Sequence, residues 1–170
     1  MLLWYAAVSV VLVHTVFRSV GIDYRLVALG AVLPLGVDVF WGRMAFGHTL
    51  LFPVALMGLI MLATIGQRRL LRRRLLCVPI GVFVGVLLSA SWQHAQVVWW
   101  PTLGWSFGDH ALLPVWWIIL IEELVGLFAL WWIIGLGSLY EAGPRAEFLR
   151  TGRLASLPVA PPPSSGDGDA

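Results

Sequence analysis

The chain has 170 residues, of which 59% are hydrophobic and only 12% are charged, and its mean hydropathy is +0.87. Soluble globular domains carry about 25% charged residues, so this composition excludes an ordinary soluble domain and predicts an integral membrane protein. The net charge of +2 is too small to favour nucleic-acid binding. The single cysteine, Cys77, excludes a disulfide framework within the chain.

Five apolar runs predict an all-α fold, a polytopic transmembrane helix bundle in one domain over residues 1–140. The first run has no basic residue ahead of it, so we expect an uncleaved helix rather than a signal peptide. Pro34 lies inside the second run and predicts a kinked or tilted helix. The predicted spans are residues 2–17, 26–40, 50–66, 75–92 and 115–136.

A cluster of five arginines in seven residues follows the third apolar run. These are Arg68, Arg69, Arg72, Arg73 and Arg74. They cannot lie in hydrocarbon, so they predict a cytoplasmic loop in contact with anionic lipid headgroups. With this loop inside, Arg43 is the one arginine of eleven left outside, which predicts an outer N-terminus and an inner C-terminus.

All basic residues are arginine and none is lysine, which indicates a GC-rich bacterial genome. We therefore expect a multi-pass protein of the bacterial cytoplasmic (inner) membrane. The outer segment before the fifth span is rich in Trp, Gly and Pro and predicts a structured turn. Residues 141–170 are predicted to be a cytoplasmic tail, disordered from about residue 157 because Pro and Ser dominate there.

Ionisable residues next to membrane spans are candidates for function, because leaving them unpaired in lipid is costly. On the outer side the predicted topology places Asp38, His48, His94, Asp109 and His110. Asp38 could be a metal ligand or general base, or instead a cap on the following turn or an ion-pair partner of Arg43. His48 could be a ligand, or a histidine that is hydrogen-bonded to the turn.

The predicted spans also contain polar and small residues. Glu122 and Glu123 lie about two turns into the fifth span and point some 100° apart, so we expect one of them to face the bundle. That acid could pair with His or Arg, or be a neutral carboxyl that is hydrogen-bonded within the bundle. In the fourth span, Gly81, Gly85 and Ser89 share one face and indicate close helix packing.

Two motifs carry a resemblance to a known family. Leu33-Pro34-Leu35-Gly36-Val37-Asp38, followed by Gly47-His48-Thr49, resembles the bacterial integral-membrane proteins described as membrane-bound metal-dependent hydrolases. The stretch Trp99-Trp100-Pro101-Thr102-Leu103-Gly104-Trp105 is similar to a Trp-Pro turn of that family. The resemblance covers roughly residues 29–114. Where the family carries a later His and Asp, this chain has Gly85 and Ser89.

The resemblance implies a divalent metal, zinc or manganese, at the outer membrane face. Asp38 and His48 would be catalytic ligands, with His94 or Asp109 and His110 completing the set. The metal would activate water for attack on an ester or phosphoester.

Because two ligand positions of the family are lost, whether the chain is an enzyme stays open. The alternative is a non-catalytic membrane scaffold or accessory subunit that binds a membrane-protein partner or a second copy. A transporter component using Glu122 or Glu123 is disfavoured, because five spans without a repeat suit alternating access poorly.

Overall fold

A computed structural model describes residues 1–17 and 21–154, and within them the chain forms helices and turns with no β-strand. The helices are α1 (Ser9–Phe17, preceded by a π-helical turn Trp4–Val8), α2 (Tyr24–Asp38), α3 (Leu51–Ala63), α4 (Arg69–Leu75), α5 (Cys77–Leu88), α6 (Ala95–Val98), α7 (Trp116–Leu136) and α8 (Ala142–Thr151). Short 3-10 turns lie at Val39–Trp41, Phe46–His48 and Ser91–Gln93. The predicted all-α class is confirmed.

Two helical stretches are long and apolar enough to cross a membrane by length and composition. They are Tyr24–Trp41, in which α2 continues into a 3-10 turn, and Trp116–Leu136. A helix of 21 residues is about 30 Å long, the thickness of a hydrocarbon core. Trp4–Phe17 and Leu51–Ala63 are apolar but shorter.

The centre of the fold is the contact between α2 and α5, where glycines let two backbones approach. A Cβ atom added at Gly81 would overlap the carbonyl oxygen of Val27, and one at Gly85 would overlap that of Ala31. Gly30 faces the carbonyl of Val78 in the same way. The small-residue face of the fourth predicted span is therefore a packing surface, as its spacing indicates.

The arginine cluster differs from its prediction, because it forms helix α4 rather than a loop. Residues 67–78 contain neither Gly nor Pro, and both Leu and Arg favour helix. α5 follows after Leu76 and ends at Leu88, before the predicted end at residue 92. It ends there because the backbone turns at Ala90, which adopts a left-handed conformation with φ +54°.

The first part of the predicted tail also forms a helix, α8, whose end packs against the start of α2. The backbone N–H of Tyr24 donates a hydrogen bond to the carbonyl of Gly152 at 2.9 Å. Leu154 is buried in the same core cluster as Tyr24 and Val27. The stretch predicted to be disordered from about residue 157 lies outside the described residues, and so does Arg18.

Candidate functional site

Asp38 and His48, the central residues of the predicted site, are in direct contact. Asp38 ends α2 and its side chain is fully buried. Its Oδ2 accepts a hydrogen bond from the backbone N–H of Ala45 at 2.7 Å, and its Oδ1 accepts one from that of Gly47 at 2.8 Å. His48 Nδ1 lies 2.7 Å from Asp38 Oδ2. The carboxylate thus ties the end of α2 to the 3-10 turn Phe46–His48.

The local sequence explains this closed geometry. Gly42 has φ +63° and ends the 3-10 turn that follows α2, so the chain reverses there. Gly47 has no space for a side chain, since a Cβ would lie 2.5 Å from the Pro34 carbonyl oxygen and 2.9 Å from Asp38 Oδ1. Thr49 Oγ1 accepts a hydrogen bond from the backbone N–H of Phe52 and so caps the start of α3.

The other predicted outer ligands form two separate pairs. The rings of His94 and His110 stack with their centroids 4.0 Å apart. Burial lowers the pKa of His94, and the neighbouring His110 lowers it further. Asp109 is almost fully exposed and pairs with Arg43, at 3.2 Å between NH1 and Oδ1. Arg43 is therefore the partner of Asp109 rather than of Asp38.

These pairs do not assemble into a ligand set of three. Among residues 1–17 and 21–154, no group of three or more His, Cys, Asp or Glu side chains is arranged to hold a metal ion. Gly85 and Ser89, which stand where the family carries its later His and Asp, make structural contacts. Gly85 packs on Ala31, and the Ser89 hydroxyl donates to the carbonyl of Val86 at 2.8 Å.

Glu122 and Glu123 lie where α7 crosses the first residues of the chain. The Glu123 carboxylate pairs with the ammonium group of Met1 and accepts a hydrogen bond from the backbone N–H of Leu3 at 3.3 Å. Gly126, one turn later, has Leu3 and Trp4 against its backbone. Glu122 Oε2 is buried without a hydrogen-bond partner among the residues that the structure describes.

Asp23 is a second buried carboxylate, which the sequence analysis missed. It precedes α2, is 2% exposed, and accepts hydrogen bonds from Arg74 NH2 at 2.8 Å and Arg25 Nε at 3.3 Å. Burial alone would raise the pKa of Asp23, but the hydrogen bonds and charges of Arg25 and Arg74 hold it below its usual value. The sequence feature that could have revealed this site is an acidic residue two positions before Arg25, on the membrane side where most arginines are predicted to lie.

Asp23 lies in the wall of a polar pocket of about 180 Å³. The pocket is lined by Gly21, Asp23, Arg74, Arg150, Thr151 and Arg153. One arginine of the predicted headgroup cluster, Arg74, is part of it, and the guanidinium of Arg73 lies against Gly21. Arg69 and Arg72 are exposed on α4, and Arg68 is exposed just before it. Tertiary packing thus joins part of that cluster to two arginines at the end of α8.

Comparison of this chain with protein-family models, with curated proteins and with solved structures finds no match. The resemblance to membrane-bound metal-dependent hydrolases therefore stays a prediction that depends on short motifs.

Proposed function

We propose that this chain is a non-catalytic scaffold or accessory subunit of the bacterial cytoplasmic membrane. It crosses the membrane five times with its N-terminus outside and its C-terminus inside. The apolar helices Tyr24–Trp41 and Trp116–Leu136 support membrane insertion. Arg74 of α4 lines one pocket together with Arg150 and Arg153 at the end of α8, which supports a common inner face for these two helices.

One observation carries the non-catalytic assignment, namely that Asp38 is fully engaged in holding the fold. Its carboxylate is 0% exposed and interacts with two backbone N–H groups and with His48. A catalytic metal ion needs several protein ligands and an open position for water. A carboxylate that is enclosed by backbone amides instead links α2 to the next turn. We call these contacts of Asp38 with Ala45, Gly47 and His48 the clasp.

Helix α7 offers the surface that a scaffold needs. Its side chains are mostly exposed and apolar, and it meets the rest of the chain mainly at the π-helical turn around Trp4. Trp116 and Trp117 lie at one end, and Trp131 and Trp132 lie at the other, as in helices whose ends meet the membrane interface. A membrane-protein partner or a second copy would pack on this helix.

A metal-dependent hydrolase is the second candidate function, and the contact between Asp38 and His48 favours it. A histidine next to a carboxylate is a pair of side chains that zinc and manganese sites use. In this alternative, Asp38 and His48 bind zinc or manganese, and His94 or the pair Asp109 and His110 completes the ligand set. The metal would then activate water against an ester or phosphoester.

The metal content of the purified protein separates the two functions. The protein is produced with added zinc and manganese, and wild type is compared with His48→Ala, using His14→Ala as the matched histidine control. The scaffold predicts equal, substoichiometric metal in all three proteins. Near-stoichiometric metal that is lost only in His48→Ala would overturn the scaffold and favour the hydrolase.

The proposed topology has a separate test, because Cys77 is the single native cysteine. In a Cys77→Ala background, we expect Arg43→Cys to react with an impermeant maleimide from the outside of intact cells. Arg69→Cys should react only after the membrane is opened. Labelling of both sites in intact cells would contradict the five-span arrangement.

A further inference from the structure

We propose that the polar pocket between α4, α8 and the start of α2 binds a phosphate group, and that an acidic phospholipid supplies it. This inference rests on the proposed membrane location and goes beyond it, because it assigns one built site instead of diffuse contact with headgroups. Three features carry it: the charge of the pocket, its rigid construction and the apolar cavity beside it.

The pocket carries an excess of positive charge that its own acid does not cancel. Arg74, Arg150 and Arg153 line it together with a single carboxylate, that of Asp23. Asp23 is already paired with Arg74 and with Arg25, which contributes a further positive charge. Arg150 and Arg153 are exposed and have no acidic partner in residues 1–17 and 21–154. Their planar guanidinium groups suit phosphate oxygens.

Tertiary contacts hold the Arg74 side chain and the backbone that carries Arg150 and Arg153 in place. Arg74 is fixed by its 2.8 Å hydrogen bond to the buried Asp23. The end of α8 is fixed by the hydrogen bond from the Tyr24 N–H to the Gly152 carbonyl. Gly152 has φ +72° and lies so close to the Asp23 carboxylate that a Cβ there would overlap Oδ1. The cluster is therefore a preformed concave site and not a set of independent surface charges.

An apolar cavity of about 320 Å³ is lined in part by Arg25, the residue that bonds to Asp23 in the pocket wall. Side chains of the π-helical turn, α1, α2 and α7 line it, and so does Phe148 of α8. Arg25 connects the two spaces, since its guanidinium bonds to Asp23 in the pocket wall and also donates to the carbonyl of Leu149. A molecule with a phosphate group next to an acyl chain fits both, and an acidic phospholipid is such a molecule.

The test measures retained lipid by native mass spectrometry after the protein is moved from nanodiscs into mild detergent. The nanodiscs contain phosphatidylcholine alone or an equal mixture with phosphatidylglycerol. Wild type is compared with the double variant Arg150→Gln/Arg153→Gln. Its matched control is Arg69→Gln/Arg145→Gln, which also removes two positive charges, one from α4 and one from α8, but outside the pocket.

We expect wild type and the control to retain phosphatidylglycerol. The pocket variant should bind it about tenfold or more weakly, because it loses two guanidinium groups that would form charge-assisted hydrogen bonds to the phosphate. A second variant, Ala28→Phe, fills the apolar cavity and should lower lipid retention, whereas Ala55→Phe on the exposed face of α3 should not. Thermal unfolding of each variant verifies that it is folded.

A second arm identifies the source of the phosphate. Inorganic phosphate is added to protein in phosphatidylcholine nanodiscs, and thermal unfolding is followed. Stabilisation of wild type but not of the pocket variant, without retained phosphatidylglycerol, would overturn the lipid as source and leave a free phosphate. Equal losses in the pocket variant and its control, or no binding by wild type, would overturn the site itself. Failure of the membrane topology would appear separately, in the maleimide labelling.

Discussion

Two buried aspartates flank the same helix, and they are stabilised in opposite ways. Asp38, at the end of α2, accepts its hydrogen bonds from backbone N–H groups and from His48. Asp23, just before α2, is held by the guanidinium groups of Arg25 and Arg74. Backbone donors around the first carboxylate close a turn. Cationic side chains around the second leave an open, positively charged pocket.

This comparison shows that the burial of an acid says little about function unless its partners are known. Each aspartate is at most 2% exposed. Asp38, the residue that its motif marks for catalysis, is enclosed by its own loop. Asp23, which belongs to no motif, lies in the wall of an open polar pocket. The predictions below test this contrast, from the largest expected effect to the smallest.

The largest effect should come from Asp38→Ala. It removes the shared acceptor of two buried N–H groups and of His48, so we expect a loss of about 3–5 kcal/mol in the free energy of unfolding. Asp38→Asn retains an acceptor oxygen and should lose less. Unfolding in detergent micelles, followed by circular dichroism, measures both. A folded Asp38→Ala protein with wild-type stability would refute the clasp.

The second test uses the glycine that lies against each carboxylate. Gly152→Ala forces a side chain onto Asp23 at φ +72°, and Gly47→Ala forces one against the Pro34 carbonyl and Asp38. We expect each to lose about 2 kcal/mol in the free energy of unfolding. Only Gly152→Ala should also weaken phosphatidylglycerol retention, because Gly47 is remote from the arginine pocket. Equal phosphatidylglycerol retention by the two variants would contradict the assignment of lipid binding to the Asp23 side of α2. Gly36→Ala, in open space on α2, is the control.

The third test uses pH. Because the folded pKa of Asp23 lies below its ordinary value of 3.8, its stabilising contribution is present above about pH 4 and is lost as the pH falls through the folded pKa. Asp23→Asn should cost about 1–3 kcal/mol at neutral pH, and its difference from wild type should shrink below about pH 4. Unfolding curves between neutral and acid pH measure this difference. If the difference in the free energy of unfolding stays constant down to acid pH, the arginines do not stabilise the charged form of Asp23.

The smallest effect should come from Asp109→Asn. Asp109 is 97% exposed and its partner Arg43 is 45% exposed, so solvent screens their ion pair. We expect wild-type unfolding and unchanged metal content. A clear loss of stability would mean that the outer loops depend on this pair, and a loss of bound metal would return Asp109 to the ligand set.

The sequence predicted the local parts of this protein well. Gly81 and Gly85 stand four residues apart, so their shared helix face followed from helical geometry alone. The proximity of Asp38 and His48 was also predictable, because only ten residues separate them. The arginine cluster was predicted to be a loop but forms helix α4, because charge was weighed more heavily than helix propensity.

The candidate site was harder to predict, because residues that are predicted to lie on one side of a membrane need not be in contact. The five outer candidates were expected to converge, yet within the described residues they form pairs that do not combine. Whether two histidines stack on each other or face a common metal depends on the path of the loops. No periodicity in the sequence records that path.

The sequence alone determined the helical, apolar character of the chain and the contact between Asp38 and His48. Helical hydrogen bonds and short turns connect residues that are close in sequence. The tertiary structure decided which ionisable groups are in contact with each other. Asp23 and Arg74 are 51 residues apart, and they meet only because α2 and α5 pack through glycines. Gly152 lies against the Asp23 carboxylate only because the end of α8 packs on the start of α2. Such contacts depend on which helices pack together, which is a property of the whole fold.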